Sequence, residues 1–124
     1  MFSASLEAAL TIAYREAASR RHADLTVEHL LYSLAHDSDG ERIMEACGVD
    51  LPSLRHDLDA FLNASVDQLK RNQDREPEQT LSFRRVLQTA VLHVQSAGRP
   101  EVQAGDILAA ILQQPRTHAA ELLM

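Results

Sequence analysis

The chain has 124 residues, 45% of them hydrophobic and 4% aromatic, with no tryptophan. That length supports one compact domain, not two independent ones, and the apolar content excludes a disordered chain. The formal charge of −6 is concentrated in residues 1–63, while 80–124 carry a slight basic excess, so the concentrated basic surface needed by a nucleic-acid partner is missing.

The scarcity of aromatics favours Leu/Ala/Val helix packing over a β-sandwich. The single cysteine, Cys47, rules out an internal disulfide and fits a reducing cytoplasm. No charged-then-apolar leader opens the chain and no apolar run approaches membrane-spanning length. A soluble cytoplasmic domain with no membrane partner is expected.

In chain order, the first predicted helix runs from about Ser5 to Ser19, with Leu6, Ala9, Leu10, Ala13, Tyr14 and Ala17 recurring on one face. Residues 20–24 read as a loop. Thr26 is an N-cap for a second helix, with Glu28 in its first turn and Leu30, Leu31 and Leu34 as its buried stripe. Asp39-Gly40 opens a short third helix that stops at Gly48. Asp50 caps a fourth, with Pro52 in its first turn and Leu54, Leu58, Phe61 and Leu62 inward. Residues 64–79 are mostly polar and read as an exposed linker. Ser82 then caps a helix carrying Phe83, Val86, Leu87, Ala90, Val91 and Val94 on one face, ended by Gly98. Asp106 to Leu112 forms the next, with a poorer cap in Gln103-Ala104. Pro115 breaks it, and Thr117 starts a final short helix.

The chain also repeats itself. Leu10, Ala13, Ser19 and Leu31 return as Leu87, Ala90, Ser96 and Leu108, all at one shift. Leu6 matches Phe83, Ala9 Val86, Asp24 Glu101, Leu25 Val102, Leu30 Ile107 and Leu34 Ile111. Apolar positions thus fall on apolar positions across two helices and the loop between them, as in a duplicated helical unit. The expected fold is all-α, built from two pseudo-symmetric helical repeats: 1–63, a polar linker over 64–79, and 80–124, in one compact domain. The counterpart of the fourth helix would begin near residue 127, past Met124, so the second repeat is expected to be truncated by one helix. The chain is then either a naturally short protein or a fragment.

No enzyme signature survives inspection. A P-loop needs glycines leading to Gly-Lys-Ser/Thr, but the glycines are Gly40, Gly48, Gly98 and Gly105 and the one lysine is Lys70. His22 with Asp24 and Glu28 is the one cluster that invites a metal or an enzymatic role. No His-x-x-x-His spacing supports it, and the expected reading is surface polar residues plus capping. Cys47 precedes a helix-ending glycine, where the dipole disfavours a thiolate, and is expected to be a small buried hydrophobe. His93 reads as a helix-surface or core-edge residue. Ser3, Ser5 and Ser82 lack a glycine elbow. No catalytic group, metal site or cofactor is expected in this chain. Glu28, Thr80 and Arg85 stand at helix starts, where they are solvated unless the two halves bring those starts together.

Four blocks carry a family resemblance: Thr26-Val27-Glu28-His29-Leu30-Leu31, the run Glu-Ala-Cys-Gly-Val-Asp-Leu at 45–51, Thr-Leu-Ser-Phe-Arg-Arg-Val-Leu-Gln at 80–88, and the run from His93 to Val102. Together they resemble the N-terminal domain of Clp-type AAA+ unfoldases over essentially the whole chain, and the ClpA branch more than ClpB or ClpC. The resemblance implies two pseudo-symmetric four-helix units. It implies a parent protein that forms ATP-driven hexameric rings, with ATP and Mg bound in P-loop modules outside this chain, and that unfolds protein substrates for the ClpP peptidase. It also implies that this domain docks the ClpS adaptor, which delivers N-end-rule substrates. The family's adaptor-contacting positions match Glu28, Thr80 and Arg85. A metal site associated with the family around His22 would use an acidic residue where this chain has Asn63, a far poorer ligand. The alternative reading is a stand-alone Clp-N-like accessory or regulatory protein of such a machine.

Overall fold

Seven helices form among the described residues, which in this computed structural model are 1–71, 73–114 and 117–123. They are α1 (Ala4–Ser19), α2 (Val27–Leu34), α3 (Ser38–Ala46), α4 (Leu51–Ser65), α5 (Leu81–Ser96), α6 (Ala104–Leu112) and α7 (His118–Leu123). Two short strands, β1 (Asp24–Leu25) and β2 (Glu78–Gln79), complete an otherwise all-α fold. No helix among the described residues is long and apolar enough to cross a membrane.

Side-chain oxygens set most of the helix starts by accepting an orphan backbone N–H. Ser3 accepts from Leu6, Thr26 from His29, Asp50 from Ser53 and Thr80 from Phe83. Two expected starts move. Thr80, not Ser82, caps α5, and Asp37, not Asp39, caps α3 by accepting from the N–H groups of Asp39 and Gly40. In both cases the preceding polar residue has the extended backbone that a cap requires. Gln103 bonds no orphan amide of α6 through its side chain; instead Asp106 reaches back to the Gln103 N–H at 2.9 Å. Pro115, the expected breaker after α6, lies outside the described residues, and α6 ends at Leu112.

Three helices end in the same way. After α1, α3 and α5 the chain turns through a left-handed residue: Arg21 at φ 55°, Gly48 at 84° and Gly98 at 69°. The next amide bonds back to the last turn: His22 N–H to Ala17 O, Val49 N–H to Met44 O and Arg99 N–H to Val94 O. This is the Schellman closure. At Arg21, which lacks glycine's freedom, the turn is held from outside. Its guanidinium donates to the carbonyls of Lys70 and Gln73 at 3.1 and 3.0 Å, and its own carbonyl accepts from Leu69 N–H at 2.7 Å.

The duplication is visible as packing. α2 packs on α1 as α6 packs on α5, and α3 on α6 as α7 on α2. The central helices α2 and α6 are wrapped nearly all round: Val27, Glu28, His29, Leu30, Leu31, Ser33 and Leu34 of α2 are buried, far more than the three-leucine stripe read from the sequence. Polar members of this face survive burial because each is bonded, as when the Ser33 hydroxyl donates to Ala9 O at 2.6 Å. The fourth helix of the first half, α4, lies against α2, α3 and α7 through Leu51, Leu54, Leu58 and Leu62. It has no counterpart among the described residues.

The segment between α4 and α5 is mostly exposed, yet it is tied to the first half. Ala23 N–H donates to Asp67 O at 2.8 Å, Gln68 bridges to His22, and β2 pairs in parallel with β1, Asp24 opposite Glu78 and Leu25 opposite Gln79. The second half receives a matching tie from the chain start, a parallel bridge between Phe2 and Val102.

One close approach fixes how α3 leaves α2. A Cβ on Gly40 would lie 2.2 Å from the Leu34 carbonyl oxygen, a backbone atom that cannot step aside cheaply. Gly40→Ala is therefore expected to destabilise the domain by about 1–3 kcal/mol, read as a lowered thermal midpoint in calorimetry. Gly98→Ala, whose Cβ would meet no atom within 4 Å, is expected to carry only the smaller backbone penalty of its positive φ.

Candidate docking site

The starts of α2 and α5 come together at the surface. Glu28 and Thr80 line one open cavity of about 360 Å³ with Thr26, Val27, Ser82 and Thr117, and its far wall is made by Phe61 of α4 and His118 of α7. The phenyl and imidazole rings stack nearly parallel, 4.3 Å between centroids and 10° between planes. Arg85 is exposed and lies outside the lining. It follows Ser82 by three residues on α5, and therefore shares its helix face.

The three sequence-selected residues are not equally free. Thr80 uses its oxygen to cap α5, accepting from Phe83 N–H at 3.1 Å. Glu28 is only 8% exposed, and its Oε2 accepts from Ala119 N–H at 2.8 Å, tying down the first turn of α7. One carboxylate oxygen is thus committed to the fold. Phe61, Ser82, Thr117 and His118 were not singled out for this site. Phe61 read as core and Ser82 as a cap. The repeat itself held the signal for Ser82, since Ser3, the cap of α1, returns at the same shift as Thr80.

The cavity also breaks the internal symmetry. At the repeat shift Glu28 corresponds to Gly105 and Arg85 to Ala8. Gly105 lies close to Ile43, 3.5 Å from where its Cβ would be, so the corresponding surface is closed by an apolar contact between α6 and α3. At these two positions the charge is present in one copy only, while the mate face carries Glu41 where the cavity has His118.

The His22 cluster is resolved differently from the surface reading. His22 and His29 are buried, 1% and 0% exposed, and bonded to each other from Nδ1 of His22 to Nε2 of His29 at 2.8 Å. His29 also completes a capping box, its Nδ1 accepting from Thr26 N–H at 3.0 Å. Burial, then the charge of Arg20, pushes His22 below the ordinary histidine range. Burial, then His22 and Arg20, pushes His29 down to about 3. Asn63 accepts from Arg20 Nη1 at 2.8 Å, and Glu28 faces α7, so neither joins the rings. Among the described residues no three His, Cys, Asp or Glu side chains converge as metal ligands. Cys47 also departs from expectation. It is exposed, because it falls at the C-cap of α3 and not on the inward face. His93 is exposed on α5.

The fold is a duplicated helical unit with an open cavity where the starts of α2 and α5 meet, and comparison with known proteins gives its family. The family model described as "Clp repeat (R) N-terminal domain" matches residues 1–124. The chain belongs to this family. It is 40% identical over 123 residues to a ClpA homolog protein from Fuscovulum blasticum, a match covering 98% of this chain and 16% of that protein. The chain thus spans about a sixth of that relative's length. Its fold resembles the N-terminal domain of the ClpV1 ATPase from E. coli EAEC (TM-score 0.80, 21% identity, 99% of this chain and 77% of that one). It also resembles a ClpV N-domain solved in complex with a VipB peptide (TM-score 0.75, 22% identity, 98% and 76%).

Replacing Glu28 with alanine removes the acceptor of a buried backbone N–H. A hydrogen bond to a charged group contributes about 1.5–3 kcal/mol, so Glu28→Ala is expected to lower stability by that order and to accelerate amide exchange at Ala119. Glu28→Gln keeps an acceptor oxygen and is expected to preserve most of that protection.

Proposed function

We propose that this domain is the adaptor and substrate docking module of a ClpA-type unfoldase, acting in the cytoplasm, and that the cavity around Glu28 and Thr80, with Arg85 beside it, receives the ClpS adaptor. The supporting observation is the exposed Arg85 beside the cavity, at a position where the other copy has Ala8 and the fold needs no charge, together with Glu28, which faces the same cavity while bonded to Ala119 N–H. The second Glu28 oxygen, which accepts no hydrogen bond among the described residues, is suited to a partner cation, and the exposed Arg85 guanidinium to a partner carboxylate, which it can grip through two N–H donors. The open rings of Phe61 and His118 offer an apolar floor for the centre of such a contact. The parent protein would supply the P-loop modules that bind ATP and Mg, form the hexamer and feed unfolded substrates to ClpP.

A second surface favours direct capture of substrate as well. Leu87, Val91 and Leu92 of α5 leave an apolar hollow at the surface, with Leu92 63% exposed. An apolar peptide segment could cover it, and the ClpV N-domain bound to a VipB peptide shows a similar fold taking a peptide.

Titration calorimetry with purified ClpS tests the adaptor reading. Arg85→Ala is expected to weaken binding at least about tenfold, or roughly 1.4 kcal/mol, with the thermal midpoint of the domain unchanged because Arg85 is exposed. Leu92→Ser is expected to leave adaptor affinity intact. Equal affinity of wild type and Arg85→Ala would remove Arg85 from the interface.

A further inference from the structure

The buried imidazole pair has a structural twin. At the repeat shift His22 corresponds to Arg99 and His29 to Asp106, and these two form an ion pair, with Arg99 Nη1 3.3 Å from Asp106 Oδ2 and a second, closer contact from Nη2 to Oδ1. Each pair joins the residue after a left-handed helix end to the third residue of the following helix. Each also has that third residue reaching back to the cap N–H, His29 to Thr26 and Asp106 to Gln103. One junction is thus closed by a permanent ion pair, and the other by two neutral rings.

Neutrality in the first junction is dictated by its donors. Thr26 N–H points at His29 Nδ1 at 3.0 Å, with the Thr26 hydroxyl oxygen 2.8 Å from the same nitrogen, and this pairing favours the tautomer with its proton on Nε2. Nε2–H then donates to His22 Nδ1, and the remaining His22 proton sits on Nε2, where the Leu62 backbone carbonyl favours it. A proton on His29 Nδ1 would face the Thr26 N–H, with only the Thr26 hydroxyl oxygen, which already accepts from His29 N–H, to receive it, and protons on both facing ring nitrogens would set N–H against N–H. The charges around the pair offer no compensation. Arg20, the C-cap of α1, opposes a proton and Glu16 of α1 favours one, but Arg20 is bound to Glu16 at 2.6 Å and to Asp59 of α4 at 2.7 Å. Glu28 of α2 is turned to Ala119, Asp24 engages β2 through backbone pairing, and the segment after α4 meets His22 through Gln68.

We propose that the His22–His29 pair is an acid-sensitive latch: proton uptake opens the junction between α1 and α2, releasing the Gln68 bridge and the Thr26 wall of the docking cavity, while the Arg99–Asp106 junction stays shut. The sign follows from linkage. The rings are neutral in the closed state and free to protonate in the open one. Stability from the latch is complete above the ordinary histidine pKa of about 6.5 and is lost as pH falls below it. Two protons taken up on opening, at an open-state pKa of about 6.5, raise the opening constant roughly sixtyfold from pH 6 to pH 5.

The test is amide exchange with imidazole nitrogen NMR on this domain between pH 8 and pH 5. After correction for intrinsic exchange, protection at His22, His29 and Leu69 is expected to fall steeply below pH 6.5, with Arg99 and Asp106 unaffected until lower pH, and both rings are expected to be Nε2–H tautomers at pH 7.5. In His22→Arg/His29→Asp, which transplants the ion pair, the fall is expected to vanish. In His29→Gln, which keeps a side chain able to complete the capping box, it is expected to shrink to about eightfold between pH 6 and pH 5. A ring that titrates near pH 6.5 in the folded protein while exchange protection persists would overturn the proposal, and the wild-type spectra decide this even if the double variant does not fold.

Discussion

The crossed backbone pairing of the two halves is the constraint on which the other contacts depend. Each repeat has a short leading segment before its first helix, and each segment pairs in parallel with the loop of the other repeat: Gln79 with Leu25, and Phe2 with Val102. The matching hydrogen bonds run from Thr80 N–H to Leu25 O at 3.1 Å and from Ser3 N–H to Val102 O at 2.9 Å. Because the donors are also the helix caps, one residue at each crossing sets both where a helix begins and which loop it leans on. A few backbone bonds contribute little on their own. Their effect here is positional: they bring the starts of α2 and α5 side by side, which a serial arrangement of two independent bundles would not do.

That geometry explains why so much of the fold could be read from residue patterns and why the crossing could not. Leu6, Ala9, Ala13 and Ala17 on α1, and Phe83, Val86, Ala90 and Val94 on α5, announce their buried faces by spacing. Gly48 and Gly98 mark helix ends. The strand pairing leaves no comparable pattern, since its hydrogen bonds are made by backbone and β2 is exposed on both residues. The same limit hid the left-handed turn at Arg21, which is supported by carbonyls of Lys70 and Gln73, distant in sequence. Burial of His22 escaped notice for a related reason: a lone histidine in a polar stretch looks solvated until the partner that satisfies it, His29, is seen beside it.

At the candidate site, residue types pointed to two helix starts that share a cavity but not to their division of labour. Glu28 and Thr80 do meet, yet each already has a structural task, Glu28 at the first turn of α7 and Thr80 at the cap of α5. Sequence reasoning has no access to this, because the α7 amide that engages Glu28 lies 91 residues away. The consequence is physical. A partner cation would approach a carboxylate held in one rotamer by a bond on its other oxygen, and a pre-oriented group loses less entropy on binding than a free one. The task in the fold and the proposed task in docking therefore support each other.

The repeat finally explains where specialisation can occur. Positions that pack against the pseudo-symmetric partner must keep their character in both copies, as Leu30 and Ile107 or Leu34 and Ile111 do, all fully buried. Positions at the junctions need only satisfy their own donors and acceptors, so the two copies can solve the same problem with different chemistry. Thr26 with His29 and Gln103 with Asp106 both close a helix start, one with a neutral ring and the other with a carboxylate bound to arginine. Glu28 and Gly105 diverge further, one capping a neighbouring helix and the other admitting one. Duplication provides the platform, and chemical difference accumulates at the loop-to-helix junctions, which are also where the crossed pairing places the cavity.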